Sequence, residues 1–293
     1  MKLALLWLPL LPGLALKYAG EPLTEQGPVK VWEYKPGEAG YAWASSRGNQ
    51  AGASSKTAVA PFNLTASLAW KWQHPWGKYF GSPTGVVIDG EGGIYMTELA
   101  GARKFSPDGK EIWIYKKHFE AEMVDSPTIS HGNLFFSSND GFVHALSMET
   151  GERIWSSRTK GHCDGTNGFV SARAGVIVTS CNSNEVSDED VIALDEKAGG
   201  ILWTFRPDAT LWNFLATFPD DKTVTFQDKD GKAYRLSLQT GTLVWKSGGK
   251  YNTWTDGSAQ VGPNGVLYAV NTEWGAGKGP DAPGKLTAYR VTD

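Results

Sequence analysis

Cysteine is nearly absent, with Cys163 and Cys181 the two examples in 293 residues. Two cysteines cannot build a disulfide framework or an all-cysteine zinc centre. Their spacing brackets an expected hairpin, so one bridge and two free thiols both stay open. Excess charge is missing too: 28 Lys+Arg against 31 Asp+Glu leaves a net charge of -3. Without a basic surplus the chain lacks the electrostatic footprint of a nucleic-acid binder. After the N-terminus no apolar run is long enough for a bilayer, so no membrane span is expected in the body of the chain. His74, His118, His131, His144 and His162 are dispersed without paired metal-ligand spacing. Neither a Gly-x-Ser-x-Gly elbow nor a phosphate-binding loop occurs, which removes two common enzyme classes.

The first apolar run, LALLWLPLLPGLA from Leu3 to Ala15, follows Lys2 and is broken by Pro9 and Pro12. It is too short and too kinked to span a bilayer and reads as a signal-peptide core. Residues 1–20 are therefore expected to direct the chain to a secreted, periplasmic or lumenal location. Residues 21–62 show little periodicity and are expected to form a flexible linker or arm. Asn63-Leu64-Thr65 matches the acceptor pattern for N-glycosylation.

What the chain has in abundance is glycine and tryptophan, 35 and 13 residues. They recur together as Gly109-Lys110-Glu111-Ile112-Trp113, Gly151-Glu152-Arg153-Ile154-Trp155, Gly199-Gly200-Ile201-Leu202-Trp203 and Gly241-Thr242-Leu243-Val244-Trp245. The steps between these tryptophans are 42, 48 and 42 residues, and Trp70 lies 43 residues before Trp113. Upstream of each glycine run period-two strands such as Val143–Met148, Val191–Leu194 and Ala233–Leu238, preceded by a second apolar strand and a short strand of small residues. Each unit is thus a four-stranded antiparallel meander that cannot bury both faces alone. A radial stack of such sheets can, and this period is the propeller signature. The expected fold is an all-β propeller of five repeats over residues 66–293, with Trp70, Trp113, Trp155, Trp203 and Trp245 as packing anchors between blades. Ala66 to Trp70 is expected to supply the missing outer strand of the last blade and clasp the ring. The alternative is an incomplete ring whose remaining blades lie elsewhere, which would leave hydrophobic sheet faces exposed.

The segment Asp140-Gly141-x-Val143-His144-Ala145-Leu146-Ser147-x-Glu149-Thr150-Gly151-Glu152-x-Ile154-Trp155 resembles the repeat of pyrroloquinoline quinone (PQQ) propellers, and Asp230 to Trp245 and Val191 to Trp203 are further copies. That family, as the resemblance implies, holds both quinoprotein alcohol dehydrogenases and an outer-membrane assembly lipoprotein that binds protein partners. The dehydrogenase version implies PQQ over the axis, calcium held by hard oxygens and an Asp as base. Here Asp125, Asp164, Asn167 and Asp256 fall near the starts of first strands and are the candidate ligands; shaping the strand starts is their other reading. Asp228-Lys229-Asp230-Gly231 lacks the later ligands of a calcium loop and reads as a turn. Trp76, Trp212, Trp254 and Trp274 lie outside the docking register and read as loop packing, with stacking on a planar ligand or sugar the alternative. Intact structural positions without a recoverable catalytic motif predict a non-catalytic scaffold, with no cofactor, that binds a protein or small ligand at a propeller face. A PQQ- and calcium-dependent alcohol or sugar dehydrogenase is the alternative, and a carbohydrate-binding propeller a further one.

Overall fold

Nineteen strands follow one another in the computed structural model, which describes residue 44 and residues 68–75, 85–116, 124–138, 140–159, 169–181, 190–211, 213–248, 253–255, 259–262, 265–273 and 283–291. All of these belong to one compact unit, Trp32–Asp293. No helix among them is long and apolar enough to cross a membrane. The residues of the expected signal peptide, Asn63 and Cys163 lie outside the described set, as does the possible bridge from Cys163 to Cys181.

The first blade is β1 (Val86–Ile88), β2 (Ile94–Glu98), β3 (Gly101–Phe105) and β4 (Glu111–Lys116), paired in chain order. The second is β5 (Thr128–Ser130), β6 (Asn133–Ser138), β7 (Phe142–Ser147) and β8 (Arg153–Arg158), and the third is β9 (Ser171–Arg173), β10 (Val176–Cys181), β11 (Asp190–Asp195) and β12 (Ile201–Phe205). The fourth has β13 (Thr223–Gln227), β14 (Lys232–Ser237) and β15 (Leu243–Gly248), with its first strand reduced to a bridge between Thr217 and Thr225. The fifth has β16 (Thr253–Trp254), β17 (Gln260–Val261), β18 (Val266–Glu273) and β19 (Gly284–Arg290). There β16 and β17 both pair with one edge of β18, so a broken first strand replaces a continuous one.

The core lies between blades rather than inside any one sheet. Tyr95 and Ala102 of the first blade pack on Ile129, Leu134, Phe136 and Leu146 of the second. Phe135 and Ala145 on the opposite face of that second blade pack on Ala172, Ile177 and Ile192 of the third. Two further clusters join the third blade to the fourth and the fourth to the fifth. Period-two alternation explains this: adjacent residues of one strand serve two different interfaces. Ala44 also sits in the first of these cores, and its carbonyl accepts a hydrogen bond from Ile129 N at 2.9 Å.

The Gly-x-x-apolar-Trp pattern acquires its physical meaning in the outer strands. Each third-to-fourth strand pair shifts register just before the tryptophan, between Lys104 and Phe105, Ala145 and Leu146, Ala193 and Leu194, and Arg235 and Leu236. The extra residue of each bulge is Ile112, Ile154, Leu202 or Val244, and all four are exposed. A bulge re-aims the side chains that follow it. Here it leaves the tryptophan directed at the next blade. Trp113 Nε1 donates to Met148 O at 3.1 Å, Trp155 to Glu196 O at 3.0 Å and Trp203 to Leu238 O at 2.8 Å. The indole rests on the glycine of the next repeat, whose positive φ forms the hairpin turn and whose missing side chain makes room for the ring.

Trp70 repeats this dock on the first blade, donating to Pro107 O at 2.9 Å over Gly109. Residues 68–75 therefore occupy the place of an outer strand belonging to a blade before the first. Among the described residues no ladder joins them to β19, so the expected clasp is seen from one side only.

Candidate functional site

Antiparallel order places the start of each first strand, the hairpin between its second and third strands and the end of its fourth at one end of the blade, here the upper end. Asp125 lies there, just ahead of β5. Its amide donates to Ser137 O at 3.0 Å, and its Oδ2 accepts from Ser137 Oγ at 2.8 Å. Its own carbonyl accepts Thr97 Oγ1 of the first blade at 2.5 Å. The side chain is almost fully buried, and burial pushes its carboxyl up to about 7 against the single lowering contact from Ser137. The neighbouring Ser126 Oγ is buried without a hydrogen-bond partner. Calcium needs several ionised or carbonyl oxygens converging on one point. Asp125 instead directs Oδ2 at the Ser137 hydroxyl of its own sheet. Asp164, Asn167 and Asp256 lie outside the described residues, as do Trp76, Trp212 and Trp274. Among the described residues no group of three His, Cys, Asp or Glu side chains could hold a metal.

Blade-to-blade hydrogen bonds recur at this level. Thr128 Oγ1 donates to Val170 O at 2.6 Å and Gln227 Nε2 to Val270 O at 2.6 Å, each reaching the following blade as Thr97 does. These polar side chains satisfy first-strand and second-strand carbonyls that would otherwise face a dry interface.

Sequence reasoning missed a second polar cluster, on the outer side of the first blade. Glu98 is completely buried, and its Oε1 accepts Arg103 Nε at 2.6 Å. Arg103 also bonds Glu111, lies 5.1 Å from the Trp72 ring centre, and has His74 Nε2 at 3.4 Å. His74 Nε2 lies 3.1 Å from Glu98 Oε2. Breaking such a buried pair by removing one partner leaves an uncompensated charge. The cluster fastens residues 72–74 to the first blade. Its signal was available: Arg103 occupies the slot that holds His144, Ile192 and Tyr234 in later repeats, an inward position where a charge needs a partner.

On the fourth blade the segment Asp228 to Lys232 forms the β13–β14 turn, with Gly231 N bonded to Asp228 O and Lys232 N to Asp228 Oδ1. Burial raises the Asp228 carboxyl above its usual range, opposed first by the Tyr234 hydroxyl, which donates to Oδ2 at 2.7 Å. Tyr234 is itself pushed upward by burial. Asp208 is exposed and held low by hydrogen bonds from Lys232 and then Lys246. These groups tie the turn to the preceding connection, as the sequence reading of a structural turn requires.

Similarity to known proteins follows the same repeat. Residues 61–187 and 98–273 match the family described as outer membrane protein assembly factor BamB. A tetrathionate hydrolase of Acidithiobacillus ferrooxidans is 28% identical over 141 residues, 41% of this chain and 28% of that protein. The BamB of Burkholderia pseudomallei is 27% identical over 146 residues, 47% of this chain and 37% of its own. Among solved structures, BamB from Moraxella catarrhalis aligns with a TM-score of 0.52 at 17% identity, covering 68% of this chain and 55% of that one. A europium-containing methanol dehydrogenase gives 0.52 at 14% identity, with 72% and 60% covered. The chain thus spans less than two thirds of the length of each of these proteins. Repeat, tryptophan docks and family match agree: this chain belongs to the PQQ-repeat family of BamB-like β-propellers.

Proposed function

We propose that the chain is a non-catalytic scaffold that works outside the cytoplasm and binds a protein partner at the upper end of its blades. The observation that carries this reading is the use of polar side chains at that end. Thr97, Thr128 and Gln227 are hydrogen-bonded from blade to blade, and Asp125 is buried against Ser137. Support also comes from the Burkholderia relative, named as an assembly factor for outer membrane proteins. The N-terminal apolar run, read as an export signal, points to the same compartment.

The first test titrates the purified protein with PQQ, with and without calcium, by tryptophan quenching and dye-linked alcohol oxidation. Neither saturable binding nor turnover is expected. Calcium-dependent binding with turnover would replace the scaffold by the dehydrogenase reading and place Asp125, Asp164, Asn167 and Asp256 first for mutation. The second test places photo-crosslinkers at Lys116 and Arg158, at upper strand ends, and at Asp108 and Glu149, in the opposite hairpins. One extracytoplasmic protein trapped from both upper sites and from neither lower site is the expected result. Equal yields at both ends would sink the assignment of the face.

A further inference from the structure

We infer that the outward face of the fifth blade is a self-association surface, and that its occupant is the first blade of a second copy of this chain. The inference does not rest on the scaffold reading. It begins with the slots of the repeat. On the face each blade turns to its successor, Tyr95 and Ala102, then Phe135 and Val143, then Val178 and Val191, are all completely or almost completely buried. On the same face of the fifth blade, Leu286 stands in the slot of Ala102 and Val143, and its cross-strand partner Val270 in the slot of the buried Thr97 and Ser137; Val270 and Leu286 are 48% and 66% exposed. The opposite face of the same sheet, with Leu267 and Ala269, is buried against the fourth blade. Five sheets are therefore joined by four apolar cores among the described residues, one fewer than a closed ring of five contains.

The repeat also says what such a face takes. Every buried face of this kind is covered by the near face of a following blade, as Ile129, Leu134 and Phe136 of the second blade cover the first. One near face is left uncovered by a preceding blade, that of the first. Its Ile88, Ile94 and Met96 stand in the slots of Ile129, Leu134 and Phe136 but are only half-buried, and Val86 beside them is 40% exposed. Both faces are present in one chain, and these residues of both are exposed or half-buried in it.

Two further features fit. Residues 68–75 are already docked on the first blade in the position of a preceding outer strand, and β19 has no outer neighbour among the described residues. A contact between two different faces of identical chains is heterologous, so it propagates into a larger ring or a filament rather than stopping at a symmetric dimer.

Light scattering and sedimentation of the full chain over a concentration series should show assemblies beyond one chain. Leu286→Asp and, as a second variant, Val270→Asp should each weaken assembly by about thirtyfold or more, as loss of an interface anchor does. Both side chains are exposed in the single chain, so the variants keep the wild-type melting curve. Val86→Asp should act likewise from the other face. Mixing Leu286→Asp with Val86→Asp leaves one intact pair of faces, and the mixture should stop at a dimer of one of each. A wild-type chain that is monomeric throughout, variants that assemble normally, or a mixture that stays monomeric would each overturn the inference.

Discussion

Replacing Gly151 by alanine should destabilise the protein by about 3–5 kcal/mol, while the same change at Gly132 should cost only about 1 kcal/mol. Both glycines have positive φ, +74° and +79°, so both substitutions carry the backbone penalty of an L side chain in the left-handed region. What separates them is the indole of the preceding blade. A Cβ at Gly151 would lie 2.6 Å from Trp113 Cδ2 and 2.7 Å from Cε3, whereas at Gly132 nothing lies within 4 Å. The ring cannot retreat without giving up its bond to Met148 O and its place beside Tyr95. Overpacking at a filled interface therefore adds to the strain. Denaturant unfolding of both variants measures the difference, and equal losses would show that turn conformation alone explains the conserved spacing of glycine and tryptophan within this chain. The same logic extends to Gly109, Gly199 and Gly241, each with an indole atom 2.6 Å from the position of a Cβ.

The glycine and the tryptophan were both legible in the sequence as a repeat, yet their relation was not. A period reports that two residues recur together; it does not say that the glycine of one unit is the floor for the tryptophan of the unit before. The bulge at Ile112, Ile154, Leu202 and Val244 was hidden for a similar reason, since an extra residue in one strand leaves the repeat length unchanged. Strand order and the number of units followed from alternation and turn residues, because each strand carries its own period-two pattern. The ends of the array were harder. Leu286 to Asp293 aligned with Val143 to Thr150, and the alignment made an N-terminal clasp the natural expectation. Trp70 docks on the first blade as that clasp requires, while Val270 and Leu286 of the last blade are exposed. At the upper end, Asp125 was found by its place before Ser126-Pro127, but linear sequence carries no measure of depth. Burial and the Ser137 hydroxyl decide its chemistry, and both come from the neighbouring strand β6.

That chemistry makes the pH dependence of stability the second large expected effect. In the unfolded chain the Asp125 carboxyl releases its proton near 3.8, whereas burial in the folded protein holds the proton up to about 7. Between these values the folded state binds more protons than the unfolded one, so stability falls as pH rises through the window and levels off above it. At about 1.4 kcal/mol for each pH unit, ionising Asp125 costs the folded state roughly 4 kcal/mol by pH 8. Asp125→Asn retains a carbonyl oxygen for Ser137 Oγ and cannot ionise. The variant should match the wild type below about pH 4 and exceed it increasingly toward pH 8, by an amount approaching that figure. Asp228, also raised by burial, contributes a slope of the same sign, but it is common to both proteins and cancels in their difference. Parallel stability curves for the two proteins would mean that the folded site ionises freely. Calcium separates the two functional readings in the same experiment. As a ligand, the ionised Asp125 would be stabilised by the metal, and wild-type stability at pH 8 would recover on adding calcium while Asp125→Asn would not respond. As an internal group bonded to Ser137, it leaves both curves unchanged by calcium, which is the outcome expected of a scaffold.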